Sequence, residues 1–156
     1  MRGEILDLMV QNGLGDDCYV EMLDFTIDLF ESRGLGADYY GYHNINHELE
    51  VTYISLLAAS QKMVTLDNTD IKHLYIAALF HDFDPQKSVD KPHEESVIKF
   101  ISNDAEICRM IGATGADIEV IKTLILRTTY PWSGSLRDDA ERQIKMCLER
   151  AGADSA

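Results

Sequence analysis

Cysteine is scarce here, and the three present, Cys18, Cys108 and Cys147, are far apart, odd in number and without CxxC spacing. That pattern excludes a disulfide framework and a cysteine zinc knuckle and predicts reduced thiols. Positive charge is short as well: 14 lysines and arginines face 27 aspartates and glutamates, for a formal net charge of -13. A surface of that sign does not suit contact with a phosphate backbone, so nucleic acid is not an expected partner. No apolar run approaches the width of a bilayer, and the opening Met1-Arg2-Gly3-Glu4, with Asp7 close behind, lacks a signal peptide's apolar stretch. A cytoplasmic protein with no membrane contact is expected. Strand-like alternation, internal repeats and low-complexity stretches are missing too, which leaves an all-α class.

What the chain does have is 156 residues with 46% hydrophobic side chains, enough for one well-buried core and too few for two ordinary domains. A single domain over residues 1–156 is expected. After a short start from Gly3 to Val10, helical periodicity predicts segments at Asp16–Ser32, from Asn44 to about Lys62, at His73–Phe80, from His93 through Ile101, a short one through Ile111 capped by Ser102-Asn103-Asp104, at Asp117–Arg127 and at Asp138–Arg150. In the second of these the apolar positions are taken as Ile45, Leu49, Val51, Ile54, Leu57 and Ala58. Asp67-Asn68-Thr69-Asp70 reads as a turn with a candidate N-cap. Pro85 to Pro92, with two prolines and two lysines, reads as a loop over whatever lies beside it.

The run Ile76-Ala77-Ala78-Leu79-Phe80-His81-Asp82-Phe83-Asp84-Pro85 draws the eye. An apolar helix delivers an imidazole and a carboxylate side by side just where a proline ends the pattern. Charged groups at the edge of a core are costly unless paired or bound to a metal. Of the four other histidines, His43 and His47 are four residues apart, sharing a face if that stretch is helical, while His73 lies on a mostly apolar face and reads as structural. Imidazole plus carboxylate ligation suits a divalent ion such as Mn, Fe, Ni, Co or Zn, and carboxylates with water add Mg. An ion so held polarises a phosphoryl oxygen and makes hydroxide available near neutral pH, which is hydrolytic chemistry.

The order Tyr42-His43-Asn44-x-x-His47 and then His81-Asp82 resembles the HD-domain metal-dependent phosphohydrolases. Ala77 to Asp82 followed by His93-Glu94-Glu95-Ser96-Val97 resembles the segment from the His-Asp pair to the next helix in the predicted HD phosphohydrolases, and Leu124-Ile125-Leu126-Arg127-Thr128 resembles their following helix. Cyclic-nucleotide phosphodiesterases share the first two pieces more distantly. The likeness spans roughly residues 40 to 131 and implies a compact HD-domain-like helical bundle. By position it implies His47, His81 and Asp82 as metal ligands and His43 as the acid that protonates the leaving oxygen. Glu94, and beside it His93, would stand near the metal or order its water. From residue chemistry alone, Lys87, Lys91 and Arg127 are candidates for holding phosphate charge.

The family's closing aspartate has no clear copy. Thr129 stands at the phosphodiesterase-like position, and Asp138, Asp139 and Asp154 are the acidic residues left for a fourth ligand. The chain ends at Ala156, inside the region where that motif is expected, which predicts either a shortened domain or an incomplete site. The resemblance therefore implies hydrolysis of a phosphomonoester or phosphodiester, with a small nucleotide-like molecule as substrate. The alternative from another class is a non-catalytic HD module that binds metal or nucleotide as a sensor, and a third is a helical interaction domain with no site. Oligomeric state is not legible in these patterns.

Overall fold

A computed structural model describes residues 1–38, 41–61, 65–83 and 94–152. Among these residues there are eight helices and no strand: α1 (Arg2–Gln11), α2 (Asp17–Ser32), α3 (Ile45–Ser60), α4 (Asn68–Phe80), α5 (Glu94–Asn103), α6 (Ala105–Thr114), α7 (Ile118–Leu126) and α8 (Gly134–Arg150). The class is all-α, as the missing alternation predicts. Asp84, the Pro85–Pro92 segment with Lys87 and Lys91, His93 and Asp154 lie outside the described residues.

Short polar side chains fix most of the helix starts. Asn44, Asp67, Asp104 and Asp117 each accept backbone N–H groups from the first turn of α3, α4, α6 and α7, which satisfies donors that would otherwise be orphaned. At α4 this shifts a boundary. The helix begins at Asn68, not His73, because the Asp70 amide donates to Asp67 Oδ1 at 2.8 Å and the Asp67 amide to Asp70 Oδ2 at 3.1 Å, a reciprocal box that extends the helix back to the turn. Helix α8 likewise starts at Gly134, ahead of Asp138.

Helix α4 is the central element. Its apolar run is apolar all round, so it is enclosed: His73 and every residue from Tyr75 to Phe80 is buried. It packs against α3 on one side and α7 on the other, while α1 also packs on α3 and α8 on α7. The Tyr75 hydroxyl donates to the Tyr19 carbonyl at 2.9 Å and so ties α4 to α2. His73 is structural, as expected: its Nε2 accepts the Asp117 amide at 2.9 Å at the start of α7, and burial holds its pKa below the ordinary imidazole value.

The buried face of α3 differs from the expected one. It consists of Ile45, Glu48, Leu49, Thr52 and Leu56, whereas Val51 is half-buried and Ile54 is exposed. The inward stripe therefore contains a glutamate and a threonine.

Candidate metal centre

Two helix ends meet at the site. At the start of α3, Asn44 Oδ1 accepts the amides of Asn46 at 2.9 Å and His47 at 3.2 Å, while its Nδ2 donates to the Gly41 carbonyl at 2.9 Å. One asparagine thus holds both the incoming segment that carries His43 and the first helical turn that carries His47. His43 precedes the helix, so the two histidines do not share a helical face, yet both side chains reach the same point. At the end of α4, His81 is the C-cap residue and Asp82 follows it. Phe83, fully buried, is wedged between Phe30 and Phe100 with ring centroids 4.8 and 5.0 Å away. That wedge anchors the chain just past the His-Asp pair in the core.

Asp82 Oδ2 is the meeting point. His43 Nδ1 lies 2.9 Å from it, His47 Nε2 3.1 Å and His81 Nε2 3.2 Å. Behind His81 stands Glu48, whose side chain is wholly buried. Glu48 Oε1 accepts the Asp82 amide at 3.0 Å, and Oε2 lies 2.8 Å from His81 Nδ1. The same Nδ1 is 2.9 Å from the Ala78 carbonyl, which lies on the hydrogen-bond axis. Glu48 Oε2 is a charge contact off that axis and has no donor in line. Both neighbours of Nδ1 are acceptors, so Nδ1 carries the proton and Nε2 faces the cluster.

Charge and burial set the protonation states. For Asp82, burial acts to raise the pKa, but the hydrogen bond and charge of His81, with those of His43, outweigh it and hold the carboxyl down at about 2. For His81, burial acts to lower the pKa, and the charge of Glu48 with the hydrogen bond to Asp82 overcomes it, pushing the ring up to about 11. Burial also pushes Glu48 up. The two upward shifts compete for one proton, and we assign it to His81, which has carboxylates on both sides while Glu48 already accepts the Asp82 amide. His47 is held below its ordinary value, chiefly by burial. It is a neutral imidazole at neutral pH.

These residues suit a metal. The group of His47, Glu48, His81 and Asp82 could hold an ion, with one candidate ligand atom from each lying within 4.8 Å of the others. Ligands bound about 2.1 Å from a common ion at right angles stand roughly 3 Å apart, and the two His Nε2 to Asp82 Oδ2 separations match that edge.

The cluster forms part of the wall of a cleft of about 630 Å³. Glu94, the first residue of α5, and His43 also line it. Arg127 does not: it is exposed at the end of α7 with its guanidinium 4.1 Å above the Trp132 ring. Tyr42, though 71% exposed, lies against His47 at 4.3 Å between ring centroids. Of the acidic residues considered for a fourth ligand, Asp138 and Asp139 do not join the cluster, and Asp154 lies outside the described residues. Asp138 pairs with Arg137 and Asp139 with Arg142 on the exposed face of α8. Thr129 is buried and donates to the Leu126 carbonyl, closing the end of α7. The carboxylate that does stand beside these residues is Glu48, the neighbour of His47 on α3, which contacts His81 Nδ1 and the Asp82 amide and which the apolar pattern of α3 does not single out.

The chain matches no family model, no curated protein and no solved structure. No helix among the described residues is long and apolar enough to cross a membrane.

Proposed function

We propose that this protein is a metal-dependent phosphohydrolase that cleaves a phosphomonoester or phosphodiester. The observation that carries the reading is the convergence of three imidazole nitrogens on one buried-edge carboxylate oxygen, at the wall of a cleft large enough for a small molecule. His47, His81 and Asp82 would hold one divalent ion, of the Mn, Fe, Co, Ni, Zn or Mg group. When bound, it supplies Lewis acidity toward a phosphoryl oxygen and lowers the pKa of water.

The chain's own residues divide the remaining work. Glu48 and the Ala78 carbonyl keep the His81 proton on Nδ1 and so aim Nε2 at the cluster. His43 is held at Nδ1 by Asp82, which leaves Nε2 to exchange a proton with the leaving oxygen, the general-acid role. Glu94, which also lines the cleft, would supply a carboxylate to accept a proton from attacking water. Phosphate charge would be met at the metal end, with Lys87 and Lys91 as further candidates from the sequence.

The test is turnover of a panel of phosphomonoesters and phosphodiesters with added Mn or Mg, by the parent and by His43→Ala and His81→Ala. Loss of ester cleavage in both variants, read as free phosphate from monoesters and as released alcohol from diesters, with metal retained by His43→Ala and lost by His81→Ala, supports the assignment of roles. Metal binding with no turnover of any ester by the parent favours the sensor reading.

A further inference from the structure

The cleft does not end at the histidines. On α3, His47, Val51 and Ser55 are four residues apart and form one face, and on α4, Leu74, Ala77, Ala78 and His81 do the same. Leu124 of α7 also lines it. Because the start of α3 meets the end of α4, the two faces run back from the cluster together. At 1.5 Å per residue, the seven- and eight-residue spans make a trough roughly 10–12 Å long. The two alanines leave it open. Val51 and Leu74 are half-buried and belong neither to the core cluster nor to the apolar side chains packed against it. No lysine or arginine is among the described residues that line it.

Resting on the phosphohydrolase reading, we infer that the substrate is a phosphate ester whose organic part is an uncharged, largely apolar or aromatic body, seated between Val51, Leu74 and Leu124 with its phosphate at the His-Asp cluster. Half-exposed aliphatic side chains gain by being covered, and a polyphosphate body would find no lysine or arginine among the described residues of these walls. Ser55, two turns along α3 from His47, offers a hydroxyl to a polar terminus, beside those of Tyr42, Thr128 and Tyr130 in the same lining.

Two paired measurements test this, one of them independent of turnover. With Mn added, kcat/KM is compared for 3-phenylpropyl phosphate and glycerol 3-phosphate, which have similar alkyl leaving groups. By calorimetry, 4-phenylbutylphosphonate is compared with methylphosphonate. We expect preference for the phenyl member of roughly tenfold or more in each pair, and loss of most of it in Val51→Asp and in Leu74→Asp, each checked for parental helicity. If glycerol 3-phosphate is cleaved as well as the phenyl ester, the inference is overturned and the hydrolase reading stands. If nothing is cleaved but the phenyl phosphonate still binds about tenfold more tightly and Val51→Asp abolishes that, the trough assignment stands and the hydrolase reading falls. Phosphonates that bind alike, or fail to bind, overturn the inference.

Discussion

Glu48 Oε2 lies 2.8 Å from His81 Nδ1, and the other oxygen of the same carboxylate accepts the Asp82 amide at 3.0 Å. One buried side chain on α3 therefore grips both members of the His-Asp pair at the end of α4. It sets the ring orientation of one and the backbone position of the other.

Replacing Glu48 with Gln keeps an oxygen for the Asp82 amide but removes the charge behind His81. Metal affinity, measured by competition with a chelating dye, should fall about 10- to 100-fold, as it does when the partner of a ligand histidine is removed. Glu48→Ala should in addition cost about 1–3 kcal/mol of stability, because the Asp82 amide loses its acceptor. An unchanged affinity in Glu48→Gln would show that the contact is structural alone.

Metal binding should release a proton. Without metal His81 stays charged well above its ordinary value of 6.5, and the ion needs its Nε2 lone pair. Apparent affinity should therefore rise with pH across the neutral range, by up to about tenfold per unit. The metal-free protein behaves in the opposite sense: the His81 contribution to stability is complete below 6.5 and is lost as pH rises toward about 11. Calorimetry in buffers of different ionisation heat reads the proton directly, and a zero count would contradict the assignment of the proton to His81.

At acid pH the relevant group is Asp82. Its folded pKa is depressed to about 2 from 3.8, so its contribution is present above 3.8 and disappears as pH falls through about 2. In the metal-free protein, Asp82→Asn should cost of order 2 kcal/mol at pH 5 and much less near pH 2.5. Chemical denaturation of the two proteins at both pH values measures the gap, and a gap that does not close would remove Asp82 as its source.

His73→Ala separates structure from site. It leaves the amide of Asp117 without its acceptor at the start of α7, which should cost about 1–3 kcal/mol, while metal content stays at the parental level. Asp138→Asn with Asp139→Asn should leave both nearly untouched, since these are exposed partners of Arg137 and Arg142. Metal loss in either protein would relocate the site.

Much of this was legible in the residues. The absence of alternation gave the all-α class, the apolar run before His81 gave the central buried helix, and Asn44, Asp104 and Asp117 marked helix starts. His81 and Asp82 stand out because imidazole and carboxylate seldom end a buried helix without a purpose, and His47 follows from the search for partners to them. Glu48 does not, because the apolar periodicity puts Val51 and Ile54 on the inward face of α3. Had Ile45, Leu49, Thr52 and Leu56 been taken as the stripe, Glu48 would have fallen inside it as a buried charge in need of a partner. Val51 then becomes a cleft residue. Arg127 misled for another reason: a cation after a helix reads as an anion holder, but its neighbour Trp132 takes the guanidinium, a pairing that depends on how the chain turns after Thr129.

The central claim is that His47, His81 and Asp82 bind a metal with Glu48 behind them. Elemental analysis of protein purified without chelator and dialysed against Mn, with His81→Ala and Asp82→Ala prepared alongside and checked for parental helicity, tests it directly. The account predicts about one equivalent of metal in the parent and almost none in either variant. Equal metal in all three, or none in the parent, would contradict it.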